Sequence, residues 1–346
     1  MTVLLHADQP DDVAAAAGIL RAGGIVALPT ETVYGLAGDA LDPAVVGAIY
    51  AAKGRPSDNP LIVHVAAFDD LPAVVRDVPG SARALAEAFW PGPLTMVLPR
   101  RDVVPDRVTA GLDTVAVRVP AHEAFRAVLR LAGVPLAAPS ANQAGSPSPT
   151  TAEHVLHDLD GRIPAVLDGG PCTVGVESTV VDLTSTPPRL LRPGGVSLEE
   201  LRAVLGDVDV DPAVAGELAP DQVPGSPGMK YRHYAPAAPV VVVDGPTTEA
   251  AAWVRGQPEL HPVVLCSEEE AAAFAGLDVV TYGSAADPAS LARGLFGALR
   301  SVDRPEITRV FARCPADDAG IARAVRNRLL KAAAFRVVRA GAPAAT

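Results

Sequence analysis

Lysine is scarce in this chain: only Lys53, Lys230 and Lys331 stand among its 29 basic residues. Where arginine serves almost everywhere, a surviving lysine marks a place that needs a compact ammonium. Aromatic residues make up only 4% against 49% hydrophobic residues overall, so the core must be built from Ala, Val and Leu. No apolar run approaches the ~20 residues that span a bilayer. The opening MTVLLHADQPDD carries acids where a secretory signal needs bases. These two absences predict a cytoplasmic protein without a membrane partner. Cys172, Cys266 and Cys314 are far apart and form no CxxC pair, which argues against a disulfide framework or a zinc site and for small apolar packing residues. The formal charge of −11 argues against a protein that coats nucleic acid. Any anion site must be local, made by a few cations on an acidic background.

What is present reads as α/β. Residues 1–205 alternate short apolar runs, helical stretches and Gly/Pro-rich loops. IVALP (25–29), PLIVHVA (60–66), PLTMVLP (93–99), TVAVRVP (114–120), PLAAPS (135–140), STVVDLT (178–184) and RLLRPG (189–194) have strand character. DDVAAAAGILRAG, PAVVGAIYAAKG, HEAFRAVLRLAG and TAEHVLHDLDG are helical. The expectation is a large twisted sheet with irregular connections rather than a doubly wound order. Residues 206–238 are rich in Pro, Asp and Ala and read as a linker, yet SPGMKYRHYAP concentrates tyrosines, a histidine and cations in a way that suggests an ordered lid. Residues 239–346 return to βα alternation: PVVVVDG, HPVVLCS, LDVVTYGS and ITRVFAR predict a small Rossmann-like domain with a four-stranded parallel sheet. It carries no GxGxxG, so a dinucleotide is not indicated.

Four polar loops follow predicted strands: PTETVYGL (29–36), KGRPSDNP (53–60), PSANQAGSPSPT (139–150) and GGPCTVGVEST (169–179). Strand ends that feed polar loops are where α/β proteins bind ligands. Gly170 and Gly175 have P-loop spacing, but Val176 and Glu177 follow where Lys and Ser/Thr are needed, so a P-loop is rejected. Lys53 and Arg55 stand where a helix gives way to a turn, a placement that suits either phosphate binding or a helix C-terminus. Arg118 lies inside an apolar strand, on one face with Thr114 and Ala116, and must meet either a structural carboxylate or an anionic ligand. Arg192 stands beside a glycine pair that would let a ligand approach the backbone. His64 is a lone strand histidine, and His154 and His157 have no partner motif for a metal. Ser140 and Asn142 lack any Ser-His-Asp context or GxSxG elbow, so a binding role suits them.

Taken together, PTETVYGL, KGRPSDNPLIVHV, WPGPLTMVLP, VAVRVPAH, PSANQAGSPSPT, VGVESTVVDL and LLRPGG resemble the threonylcarbamoyl-AMP synthase family in its two-domain form. SPGMKYRHYAP and NRLLKAAA are similar to its interdomain segment and to the end of its smaller domain. The resemblance implies a YrdC-like twisted mixed sheet with a concave, locally positive cavity, plus the small Rossmann-like domain. It places threonine near Thr32, His64, Arg118, Ala138 and Ser178. ATP is placed near Lys53, Arg55, Asn59, Thr114, Ser140, Asn142, Ser148 and Arg192, with Tyr234 reaching in from the linker. The implied reaction joins L-threonine, bicarbonate and ATP, with Mg²⁺ accompanying the nucleotide, to give threonylcarbamoyl-AMP and pyrophosphate. Lys53, Arg55 and Arg192 are the residues expected to carry the charge of the transferring phosphate. Implied partners are a downstream tRNA threonylcarbamoyl-transferase and a weak RNA contact. Two rivals are an RNA-binding protein on the same fold, which the acidic charge opposes, and a carbamoyl-adenylate-forming enzyme, whose zinc modules the cysteine spacing does not supply.

Overall fold

The computed structural model describes residues 1–216, 234–258 and 261–341. They fall into two compact units: residues 1–144 with 148–214, and residues 145–147, 215–216 and 234–341.

The first unit holds eleven strands: β1 (Val3–His6), β2 (Val26–Leu28), β3 (Gly35–Asp39), β4 (Ile62–His64), β5 (Leu94–Pro99), β6 (Thr114–Arg118), β7 (Leu136–Ala137), β8 (Ala165–Asp168), β9 (Thr179–Asp182), β10 (Arg189–Arg192) and β11 (Asp209–Val210). They form one mixed sheet in the order β1-β8-β2-β3-β7-β4-β6-β5-β9-β10-β11. Its connections are irregular, in line with the sequence. The strands are short and, apart from the exposed edge strands β1 and β11, largely buried, so the sheet reads as apolar runs rather than alternation. Ala, Val and Leu dominate the main core, as the low aromatic content requires.

Helices cover this sheet. Pro43–Lys53 begins at an Asp42 N-cap, whose carboxylate accepts from the Ala44 and Val45 amides, with Pro at the first helical position. It ends at Gly54, which has a left-handed φ of 61°. That stop places Lys53 at the last helical position and sends the following residues into the 53–60 loop. The helix Glu123–Ala132 packs on Pro10–Arg21, joining Phe125, Val128 and Leu129 to a second core around β2 and β8. Asp209–Val210 pairs in parallel with β10, so the sheet runs into the segment that composition marks as linker. Most of the SPGMKYRHYAP segment, residues 226–233, lies outside the described residues.

The second unit has β12 (Val240–Asp244), β13 (Pro262–Cys266), β14 (Asp278–Thr281), β15 (Arg309–Ala312) and β16 (Val337–Arg339), all parallel, in the order β14-β13-β15-β12-β16. The sequence predicts four of them. The fifth is a three-residue edge strand with exposed Val337 and Arg339, too short and too polar to show a buried-strand pattern. Cys266 is buried and Cys314 half-buried here, and burial pushes both thiols up to about 12.

Candidate active site

The predicted loops interlock within the first unit. Residues 29–35 touch the 139–150 loop through a Gly35–Ser140 bridge and through amides: Tyr34 donates to the Pro149 carbonyl (2.8 Å) and Ala141 to the Tyr34 carbonyl (2.8 Å). The same segment reaches the 169–179 loop, where the Val174 amide donates to the Glu31 carbonyl (2.7 Å). The 139–150 and 169–179 loops join where Ser148 Oγ donates to Glu177 Oε1 (2.5 Å). Gly194 lies so close to the 177–179 backbone that an added Cβ would stand 2.2 Å from the Thr179 nitrogen. Gly194 is therefore required by the backbone that passes over it, and Gly195 by the Pro93 side chain, which an added Cβ would meet at 2.8 Å.

Arg118 is 3% exposed at the end of β6. Its Nη2 lies 2.7 Å from Glu31 Oε1, Nη1 donates to Thr32 Oγ1 (2.9 Å) and Nε donates to the Gly92 carbonyl (3.2 Å). Of the two alternatives left open by the sequence, a structural carboxylate is present. A guanidinium has five N–H donors, and these three contacts leave capacity for an anion. Thr32 is fixed by a proton chain. The Thr30 hydroxyl donates to the Val33 carbonyl (2.7 Å), so in the 2.8 Å Thr30–Thr32 contact Thr32 is the donor. Thr32 thus donates to Thr30 and accepts from Arg118.

His64 neighbours Arg118 in register, β4 against β6. The imidazole is 3% exposed, its Nδ1 has no hydrogen-bond partner among the described residues, and its ring lies 5.1 Å from that of Phe125. Burial, reinforced by the Arg118 charge, depresses its pKa to about 3. The ring is therefore neutral at pH 7. Unfolded histidine binds a proton below about 6.5, and the folded protein resists it down to about 3. Stability should be fully present above pH 6.5 and be lost as pH falls toward 3, by on the order of 3–5 kcal/mol. Urea unfolding of His64→Gln beside the parent between pH 4 and 7 checks this. The parent should lose stability more steeply, and parallel curves would show that His64 does not drive the loss.

Ala138 closes this side, its Cβ against Gly35 and its amide donating to the Ile62 carbonyl (3.0 Å). Ser178 shares its hydroxyl with Thr95 Oγ1 (2.8 Å), while Arg192 donates from Nε to the Ser178 carbonyl (3.0 Å) and from Nη2 to Ser178 Oγ (3.1 Å). Register between β9 and β10 shifts between Leu190 and Arg192. Such a bulge re-aims a side chain, and here it accompanies the turn of Arg192 toward Ser178. Thr114 stands on the Arg118 face of β6, placed by strand alternation.

On the other side, Lys53 is 2% exposed, and its ammonium donates to the Ser140 carbonyl, the Asn142 carbonyl (2.7 Å) and Asn142 Oδ1 (3.3 Å). An ammonium has three donors, and all three acceptors come from one short segment. Burial, and then the Arg55 charge, lower its pKa well below the usual lysine value. The resemblance implies Lys53 on the nucleotide side, and here its ammonium holds the 140–142 turn. Ser140 Oγ donates to Asn142 Oδ1 (2.5 Å), completing that turn. Arg55 Nη2 donates to the Asn59 carbonyl (3.2 Å), with its guanidinium 5.9 Å from the Tyr50 ring centre. Asn59 is fully buried, and neither its side-chain Nδ2 nor its Oδ1 has a partner among the described residues. A buried primary amide in that state is a strong pointer to a ligand. Tyr234 belongs to the second unit, where its ring packs 5.3 Å from Phe296 with the Arg328 guanidinium 5.7 Å away.

Sequence reading missed Glu31, Thr95 and Glu177 as site residues. Glu31 had a signal: an acid inside PTETVYGL on the same chain as an unexplained strand arginine.

Comparison with known proteins bears directly on these loops. A family model described as "Telomere recombination" matches residues 18–194, and one described as "Threonylcarbamoyl-AMP synthase, C-terminal domain" matches residues 196–334. The threonylcarbamoyl-AMP synthase of Pyrococcus abyssi is 44% identical over 98% of this chain and 100% of its own. That of Bacillus subtilis is 46% identical over 94% of each chain. A crystal structure of P. abyssi Sua5 complexed with L-threonine matches with a TM-score of 0.89 at 44% identity, covering 98% of this chain and 99% of that one. On these matches the chain belongs to the threonylcarbamoyl-AMP synthase family.

Proposed function

We propose that this protein makes threonylcarbamoyl-AMP from L-threonine, bicarbonate and ATP, releasing pyrophosphate, as the activation step for threonylcarbamoyladenosine in cytoplasmic tRNA. The observation that carries the reading is the Arg118 group: a buried guanidinium with donors to spare, between Thr32 and neutral His64, inside interlocked loops. A free amino acid's carboxylate satisfies those donors, and Thr32, Ala138 and Ser178 bound its side.

The nucleotide would lie toward Asn59, Ser140, Asn142, Ser148, Thr114, Arg55 and Arg192. In this reading the threonine nitrogen bonds to the bicarbonate carbon, with water leaving. A carboxylate oxygen then attacks the α-phosphorus, and the bond to the pyrophosphate oxygen breaks. Arg55 and Arg192 offset the charge gathered there, which is where fixed cations contribute most. Lys53 acts one step back, by holding Ser140 and Asn142 in place. Among the described residues no group of three or more His, Cys, Asp or Glu could hold a metal. Mg²⁺ bound with the nucleotide would lower the charge of the triphosphate. The mixed anhydride then passes to a tRNA threonylcarbamoyl-transferase. Support for a cytoplasmic setting is that no described helix is long and apolar enough to cross a membrane and that the family works on tRNA.

Mass spectrometry of a reaction with threonine, ¹³C-bicarbonate and MgATP tests the proposal. Threonylcarbamoyl-AMP carrying the label, with product lost on omitting threonine, is the expected result. ATP breakdown indifferent to threonine would overturn it.

A further inference from the structure

We propose that Thr95, on β5, is a positioning residue that aims the Ser178 proton at the substrate. The argument is a count of protons. A hydroxyl has one donor and two acceptor positions. Ser178 Oγ already accepts from Arg192 Nη2, which can only donate (3.1 Å). Its second hydroxyl contact is Thr95 Oγ1 at 2.8 Å, where geometry alone allows either to donate. Thr95 is fully buried, and this is its side chain's single hydrogen bond among the described residues.

Thr95 and Ser178 are both buried, so either direction leaves one proton without a protein acceptor among the described residues; if Ser178 donated to Thr95, the Thr95 proton would stay unsatisfied even with substrate bound at Ser178, which is costly in a dry strand. If Thr95 donates, its proton is satisfied and both acceptor positions of Ser178 are filled. The one group then left over is the Ser178 proton, which has no protein acceptor among the described residues. It is free for a ligand oxygen, and the filled acceptor positions fix its direction. Ser178 is thereby converted from an adaptable hydroxyl into a directed donor, suited to an anionic or hydroxyl oxygen and unsuited to an ammonium. Arg192, on the nucleotide side, holds the same oxygen, so the two substrate sides share one hydroxyl.

This assignment rests on the threonine-binding reading of Ser178 proposed above. The test is Thr95→Val, which keeps the branched shape and removes the proton. The threonine KM should rise about 10-fold, the loss of one directed hydrogen bond to a charged group, with kcat changed less than about twofold on the same basis. The melting temperature should hold or rise, because a buried hydroxyl has been removed. Thr95→Ser, which restores the hydroxyl, should recover the threonine KM. Combined with Ser178→Ala, Thr95→Val should add nothing, since the proton it aims is gone. An unchanged threonine KM in Thr95→Val, failure of Thr95→Ser to rescue, or a full additional loss in the double variant would each overturn the assignment. A parent protein that makes no threonine-dependent product would instead overturn the proposed function, and the two failures are read in separate assays.

Discussion

Replacing Lys53 with methionine is expected to lower kcat/KM for ATP by about 30- to 1,000-fold, the effect of losing 2–4 kcal/mol of transition-state stabilisation. Methionine fills the aliphatic path of the side chain but leaves the Ser140 carbonyl, the Asn142 carbonyl and Asn142 Oδ1 without their shared donor. Buried acceptors stripped of a partner destabilise by about 1–3 kcal/mol each, and part of that is regained because a buried ammonium is no longer dehydrated. A net loss near 2 kcal/mol would lower the melting temperature by about 4–8 °C in a unit of this size. The threonine KM should move much less, because Lys53 contacts neither Arg118 nor Ser178. Steady-state kinetics with each substrate varied, beside a thermal melt, measures all of this. The positioning role itself is read from Asn142→Ala in both backgrounds. If the lysine works through the 140–142 turn, the double variant should be little worse than Lys53→Met alone. Additive losses would put the ammonium on the triphosphate directly.

That distinction shows what the sequence could and could not convey. The scarcity of lysine marked Lys53 as special, and both described lysines, Lys53 and Lys331, are buried. Scarcity says that a compact ammonium is wanted, but not whether its acceptors are phosphate or carbonyl oxygens. The loops were legible because their hydroxyls, amides and glycines exceed the needs of turns. The partners were not, because every decisive pair is distant in sequence: Glu31 with Arg118, Thr95 with Ser178, Lys53 with Asn142. β2, β4, β5, β6, β7, β9 and β10 were legible as short apolar runs, whereas the short strands β1, β8 and β11 were not. β3 was not, since Gly35–Asp39 is GLAGD, where small residues admit the close packing of Ala138 and Val45 that a branched strand former would block. The helices Gly80–Phe89 and Leu198–Leu205 were also passed over, although Ser197 and Glu200 form a capping box that marks the second. Thr95 lay in plain view inside PLTMVLP, where a threonine is an ordinary strand residue; only the coordinates of Ser178 give it a task.

Arg118→Ala is expected to raise the threonine KM about 100-fold, as the loss of a buried charged contact worth roughly 3 kcal/mol requires, and to leave the ATP KM within a few-fold. The difficulty is that the same substitution also strands Glu31, whose Oε1 faces Nη2 at 2.7 Å in a site where neither side chain is more than 9% exposed. Removing one partner of a buried pair destabilises by about 3–5 kcal/mol, whatever the arginine does for substrate. Protein loss and binding loss therefore have to be separated. Arg118→Ala/Glu31→Gln does so: it takes away the stranded carboxylate while the glutamine oxygen can still accept from the Ala121 amide. Much of the melting temperature should return in the double variant. The threonine KM should not, because no cation has been restored. If stability and threonine affinity return together, Arg118 acts only as a strut for the 29–35 loop, and the substrate carboxylate must be held elsewhere. If the KM for both substrates rises equally in the stable double variant, the amino acid and nucleotide sides are not separate, and the division of the site at Ser178 fails with it.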